Sequence, residues 1–161
     1  MFLRALLAFV ALPGAVAFLM PLLVLDLSTP LPTFNAAGIP FLGVGLIGLL
    51  WCVWAFYVTG EGTLAPWAPP RHLVTIGLYG FSRNPMYVAV LLVLLGWAVS
   101  FSSAELGWYA AVVAIAFHLR VVFGEEPWLA RTHGASWLSY RQAVPRWLGR
   151  RHLASTPEND A

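Results

Sequence analysis

Four apolar runs constrain this chain more than any other feature. They cover approximately residues 2–25, 39–58, 86–101 and 106–123. A helix needs about 20 apolar residues to cross a bilayer core, and the runs reach or approach that length. In lipid the backbone polar groups must be satisfied within the segment, so helices are expected. Composition agrees. The 161 residues are 60% hydrophobic and 10% charged, with a mean hydropathy of +0.76. Soluble domains run at roughly 45–50% apolar and about 25% charged. Those values exclude an ordinary soluble globule and a disordered chain. The expected fold is all-α: a polytopic membrane protein of about four transmembrane helices, with a cytoplasmic cofactor-binding loop and C-terminal amphipathic helices. One membrane-embedded domain is expected over 1–153, with a disordered tail at 154–161.

Arginine supplies all nine basic residues, and its placement orients the runs. With a cytoplasmic N-terminus and four alternating spans, Arg4, Arg71, Arg83, Arg120, Arg131, Arg141, Arg146, Arg150 and Arg151 all fall inside. The two outer loops carry only Asp26 and Glu105. An integral membrane protein with both termini cytoplasmic is therefore expected. The N-terminal run also admits a second reading. Arg4, the apolar stretch and Ala15-Val16-Ala17 resemble a cleavable signal peptide. The single cysteine, Cys52, excludes an internal disulfide and a cysteine-based zinc site.

Reactive residues collect in two segments that this topology places in the cytoplasm. The first is the loop from Gly60 to Tyr87, too rich in proline and glycine for a long helix and too apolar for a solvated linker. Pro85 suits the first turn of the third span, where its missing N–H is not needed. The second segment starts at His118. Continued as a helix, it puts His118, Val122, Glu125 and Glu126 on one face. Ionisable residues at a span end face the bundle or a wet cavity and are functional candidates; snorkelling at the interface is the alternative. The adjacent carboxylates call for cations, with Arg83, Arg120 and Arg141 the candidates. No metal site is expected, because the His and Glu spacing follows no ligand pattern. Two amphipathic helices follow, one ended by Gly134 and one from Ser136 to Pro145, with Trp137, Leu138 and Val144 on one side. Arg146, Arg150 and Arg151 are expected to meet anionic lipid. Gly43-Val-Gly45-Leu-Ile-Gly48 has a dinucleotide-binding spacing but lacks a βαβ context, so it reads as close helix packing. Topology accounts for the arginines, so no nucleic-acid partner is expected.

A series of short motifs then resembles a known family. It comprises Leu73-Val-Thr-Ile-Gly-Leu-Tyr79, Arg83-Asn-Pro-Met-Tyr87, a helical hairpin, Glu125-Glu126, Tyr140-Arg141 and Val144-Pro145-Arg146. In that order, over residues 60–148, they resemble the isoprenylcysteine carboxyl methyltransferase family, itself related to phospholipid N-methyltransferases. Asn84 departs from it, standing where the eukaryotic members carry histidine. The resemblance implies a membrane methyltransferase dependent on S-adenosylmethionine. It implies that His72, Leu73, Val74 and Tyr79 line the cofactor, and that Asn84, Pro85, Met86 and Tyr87 hold it. Glu125 would take the donor's amino group, with His118 a further contact. Arg83, Glu126 and Arg141 become candidates for catalysis through substrate positioning. The expected partners are membrane lipids and a lipophilic small-molecule, lipid or lipidated acceptor bearing a carboxylate, thiol or amine. Two other readings remain: an NADPH-dependent membrane reductase of sterol-reductase type, and a small non-enzymatic membrane scaffold.

Overall fold

The computed structural model describes residues 10–26, 33–59 and 73–149, and these contain helices and no strand. His72, Arg4, Arg71, Arg150, Arg151 and the expected tail at 154–161 lie outside the described residues. A π-helical segment, Val10–Leu19, runs into α1, Met20–Asp26. A 3₁₀ turn, Ala36–Gly38, opens α2, Ile39–Thr59. Another, Gly77–Gly80, precedes α3, Pro85–Ser100. Then come α4, Ala104–Arg120, a π turn, Val121–Glu125, and α5, Glu126–Ala143.

Two helical stretches are long and apolar enough to cross a membrane, Ala36–Ala55 and Ala104–Ala143; Pro13–Asp26 and Pro85–Ser100 are shorter apolar helices. The 40 residues of Ala104–Ala143 would extend roughly 60 Å, twice a hydrocarbon core of about 30 Å. Its apolar part is α4, and charged residues crowd in from Arg120 onward. The π turn and α5 are therefore the polar part of this stretch.

Glycine sets how α2 meets α3. A Cβ at Gly45 would lie 2.8 Å from both the Ala89 carbonyl oxygen and the Val93 nitrogen. One at Gly96 would lie 2.8 Å from the Leu42 nitrogen. The two backbones touch, as small residues allow between helices in lipid. The dinucleotide-like glycine spacing is thus a packing feature at Gly45 and Gly48, whereas Gly43 has nothing within 4 Å. Around this contact Leu49, Ala89, Val90, Val93 and Leu94 form the main core with Val113 and Ala17.

The first segment is tied to that core by its prolines' chemistry. Pro21 has no N–H, so one carbonyl of the turn before it loses its helical donor. Two carbonyls of that turn accept from side chains. Trp97 Nε1 donates to the Ala17 oxygen at 3.0 Å, and the Tyr109 hydroxyl donates to the Val16 oxygen at 3.1 Å. Ala17, at the end of the signal-like sequence, is wholly buried.

The hairpin turn is one residue shorter than the sequence suggests. Ser103 caps α4 by accepting from the Leu106 nitrogen at 3.2 Å, so Ala104 and Glu105 already belong to the helix. Ser102 takes the left-handed conformation, φ 47°, that reverses the chain. At this end the Asn35 nitrogen donates to the Ser100 oxygen at 2.6 Å, placing the start of α2 beside the end of α3. The other end of the bundle therefore gathers the end of α2, the start of α3, the end of α4 and α5.

Gly45→Ala is expected to lower thermal stability in detergent by about 1–3 kcal/mol through overpacking against backbone. Gly43→Ala should be neutral or stabilising by up to about 1 kcal/mol. Equal losses at both positions would contradict the packing described.

Candidate active site

The polar end is organised by the segment 73–87, which wraps from α2 to α3. Val74 and Tyr79 pack with Cys52 and Ala55 of α2, while Leu73 packs on Trp137, Tyr140 and Val144. Gly77 has φ +60°, and a Cβ there would lie 2.6 Å from Trp51 Nε1, so only glycine lets the turn press on α2. The Tyr140 hydroxyl donates to the Tyr79 carbonyl at 2.7 Å and locks the turn to α5. Burial, then the adjacent Cys52 thiol, pushes the Tyr79 phenol well above its ordinary pKa, so it stays neutral. Met86 sits half-buried between the two apolar clusters, and Pro85 is buried in the first turn of α3.

Arg83 and Glu126 meet at the centre. Arg83 Nη1 donates to Glu126 Oε1 at 2.9 Å, with only 4% and 11% of the two side chains exposed. Arg146 grips the same carboxylate in fork fashion, Nε to Oε1 at 2.7 Å and Nη2 to Oε2 at 3.0 Å. The Arg83 guanidinium also lies 5.3 Å from the Trp137 ring centre, in cation–π range. Backbone bonds reinforce the junction. The Arg83 nitrogen donates to the Pro145 oxygen at 2.9 Å, and Asn84 Nδ2 donates to the Arg146 oxygen at 3.0 Å. The Ser82 hydroxyl donates to that same oxygen at 3.3 Å and accepts from the Asn84 nitrogen at 3.1 Å. Asn84 thus ties the start of α3 to the strap 144–147. Burial alone would raise the Glu126 pKa. The Arg146 hydrogen bonds and the charges of Arg83, Arg146 and Arg141 outweigh it and hold the carboxyl below its ordinary value. Both Glu126 oxygens are engaged, which fits a counter-ion; a proton-accepting role would require the knot to open.

Glu125 belongs to a second cluster. The Tyr87 hydroxyl donates to Glu125 Oε1. Arg120 Nε donates to the same oxygen at 2.9 Å and lies 3.1 Å from the Tyr87 hydroxyl. The Tyr87 ring stacks on Phe117 at 4.3 Å. The Glu125 and Arg120 side chains are 33% and 46% exposed, so this cluster opens outward. Glu125 Oε2 has no hydrogen bond among the described residues. His118 is exposed, with its ring 6.0 Å from Trp147.

The expected single face carrying His118, Glu125 and Glu126 does not form. The π turn shifts the helical phase between α4 and α5, a feature common at functional sites. As a result Glu126 turns to Arg83 and Arg146, and Glu125 to Tyr87 and Arg120. The helix end expected at Gly134 is present as a kink, with φ 48°, and α5 resumes directly beyond it. Leu138 is exposed, and Tyr140 takes its expected place beside Trp137 and Val144. Arg141 is exposed at the rim.

The family model for phospholipid methyltransferase matches residues 34–136, more than half of the chain. The chain belongs to the phospholipid methyltransferase family. The match runs from the start of α2 into α5, so it takes in the wrapping segment, the hairpin and both glutamates. No curated protein and no solved structure matches the chain. In this methyltransferase the strap residue Arg146 is the functional candidate that sequence reasoning misses. It reads there as a lipid contact, yet it saturates Glu126. Its signal was the Val144-Pro145-Arg146 motif, where Pro145 ends the preceding helix and leaves a carbonyl for Arg83.

Glu126→Gln is expected to destabilise the protein by about 3–5 kcal/mol at neutral pH, because it removes the carboxylate that both Arg83 and Arg146 engage. The carboxyl's pKa is lowered on folding, so its contribution is present above the ordinary glutamate value of about 4.3 and is lost as pH falls through the lowered value. Melting curves should therefore separate wild type from Glu126→Gln at pH 7 and converge in acid. A constant gap across pH would contradict the assignment.

Proposed function

We propose that this chain transfers a methyl group from S-adenosylmethionine to a lipophilic or amphipathic acceptor at the cytoplasmic face of the membrane. The family match over residues 34–136 carries this reading, and it favours methyl transfer over the reductase alternative. The residues at the polar end suit such a donor. It is a sulfonium that also bears an ammonium, a carboxylate and an adenine. Bound, it would supply an electrophilic methyl group. Glu125, with an open Oε2, suits the ammonium. The stacked Tyr87–Phe117 pair and the His118–Trp147 pair offer aromatic faces to a cation or a base. Leu73, Val74, Tyr79 and Met86 give an apolar wall.

The chain's task is alignment. Holding nucleophile and methyl in line is worth up to about 7–11 kcal/mol without any acid or base. Glu126 is saturated by arginines, so an acceptor that is itself anionic, a carboxylate or thiolate, suits this site best. An amine acceptor has to arrive unprotonated or give its proton to another group. Trp51 and Trp54 of α2 and Ile76 and Phe81 of the wrapping segment are exposed. That apolar rim supports a lipophilic acceptor reaching the site from the bilayer. The arginine distribution supports the cytoplasmic side and four spans.

The test uses purified protein in vesicles with methyl-tritiated S-adenosylmethionine and a panel of phospholipids, fatty acids and a prenylated cysteine. Label is expected in the organic phase, reduced at least about tenfold in Glu125→Gln on losing a charge-assisted contact. Folded wild type that labels no member of the panel would overturn the proposal.

A further inference from the structure

The Glu125 cluster contains one cation that the proposed function leaves unassigned. Arg120 meets Glu125 Oε1 and the Tyr87 hydroxyl through Nε alone. Its Nη1 and Nη2 make no hydrogen bond among the described residues, and the side chain is 46% exposed. A guanidinium has two edges. Engaging Nε fixes the plane of the group, and the outer Nη1–Nη2 edge remains as a ready fork for a carboxylate. Beside it, Glu125 has the opposite pattern. Its Oε1 is held by Tyr87 and Arg120, while Oε2 is open. An open carboxylate oxygen and an open guanidinium edge thus lie on two directly bonded side chains. That juxtaposition of opposite charges matches an α-amino acid zwitterion, whose ammonium and carboxylate sit on one carbon.

The π turn makes this possible. Arg120 ends α4 and Glu125 ends the turn, five residues on, and the widened turn brings them to 2.9 Å. Tyr87 from α3 pins both groups, so neither has to be ordered when the ligand arrives. The plane of the fork is already set.

We propose that Arg120 binds the α-carboxylate of the donor's amino-acid moiety while Glu125 binds its ammonium, so that the pair selects donors carrying an intact zwitterion. This rests on the donor assignment proposed above. The two are separable by experiment, because a second donor, decarboxylated S-adenosylmethionine, keeps the sulfonium, adenine and ammonium and lacks only the carboxylate.

Calorimetry of both donors on detergent-purified protein reads the effect directly. Wild type is expected to bind S-adenosylmethionine about tenfold or more tightly than the decarboxylated form, the scale of one charged hydrogen-bonding pair. In Arg120→Gln that preference should fall to within about threefold, and Arg120→Lys should retain part of it. Glu125→Gln should weaken both donors and leave much of the preference. If wild type binds both donors equally, Arg120 does not read the carboxylate and the proposal fails, while the donor assignment stands. If Arg120→Gln keeps the full preference, the proposal likewise fails. If folded wild type binds neither donor, the donor assignment fails and this proposal with it. The wild-type comparison needs no variant, so poor folding of a mutant cannot shelter the idea.

Discussion

The polar end of this protein depends on one buried carboxylate held by two arginines. Glu126 joins three pieces of chain that are far apart in sequence: Arg83 before α3, Glu126 at the start of α5, and Arg146 in the strap beyond it. Such a knot gives little net stability relative to an apolar substitute, because the charges must be desolvated. Its effect is on which arrangement forms. Once Arg83 is committed to Glu126, its backbone meets Pro145, Asn84 reaches the Arg146 carbonyl, and the start of α3 is fixed. Displacing Glu126 removes the carboxylate that both arginines engage. The strap, wrapping segment and α5 therefore hold together as a unit.

The same knot divides the labour between two neighbouring glutamates. Consecutive residues on a helix point about 100° apart. Glu126 faces inward to its arginines, and Glu125 is then directed to Tyr87 and Arg120 at the exposed side. The inner carboxylate builds the site and the outer one faces a ligand. A single turn of π helix sets the phase of both.

Within the apolar layer a different constraint governs. Every backbone carbonyl there needs a donor, and every close helix contact needs small residues. The Val16 and Ala17 oxygens, in the turn before Pro21, accept from Tyr109 and Trp97. Gly45 and Gly96 let α2 and α3 touch along their backbones. These contacts seat α3 against α2, the nearest of them at Ala89, two residues after Tyr87.

Much of this was legible in the residues. The apolar runs locate the helices to within a few positions, Pro85 and Gly134 mark a start and a kink, and Arg83 and Arg120 stand out as partners for the acidic pair. The role of Arg146 was not legible, because its partner lies twenty residues earlier and the intervening kink at Gly134 decides where the strap returns. Nor was the π turn, since Val121-Val-Phe-Gly carries no mark that separates it from ordinary helix. The side-chain donors for Val16 and Ala17 come from residues 80 and more positions away. Local pattern reveals elements and their ends; closure between distant segments emerges only in three dimensions. Hydrogen–deuterium exchange with and without S-adenosylmethionine tests most directly whether the junction of segment 73–87 with the π turn is the donor site. Protection is expected in peptides covering 73–87 and 117–126, and little change across the α2–α3 glycine contact. Binding that protected neither peptide would contradict that placement.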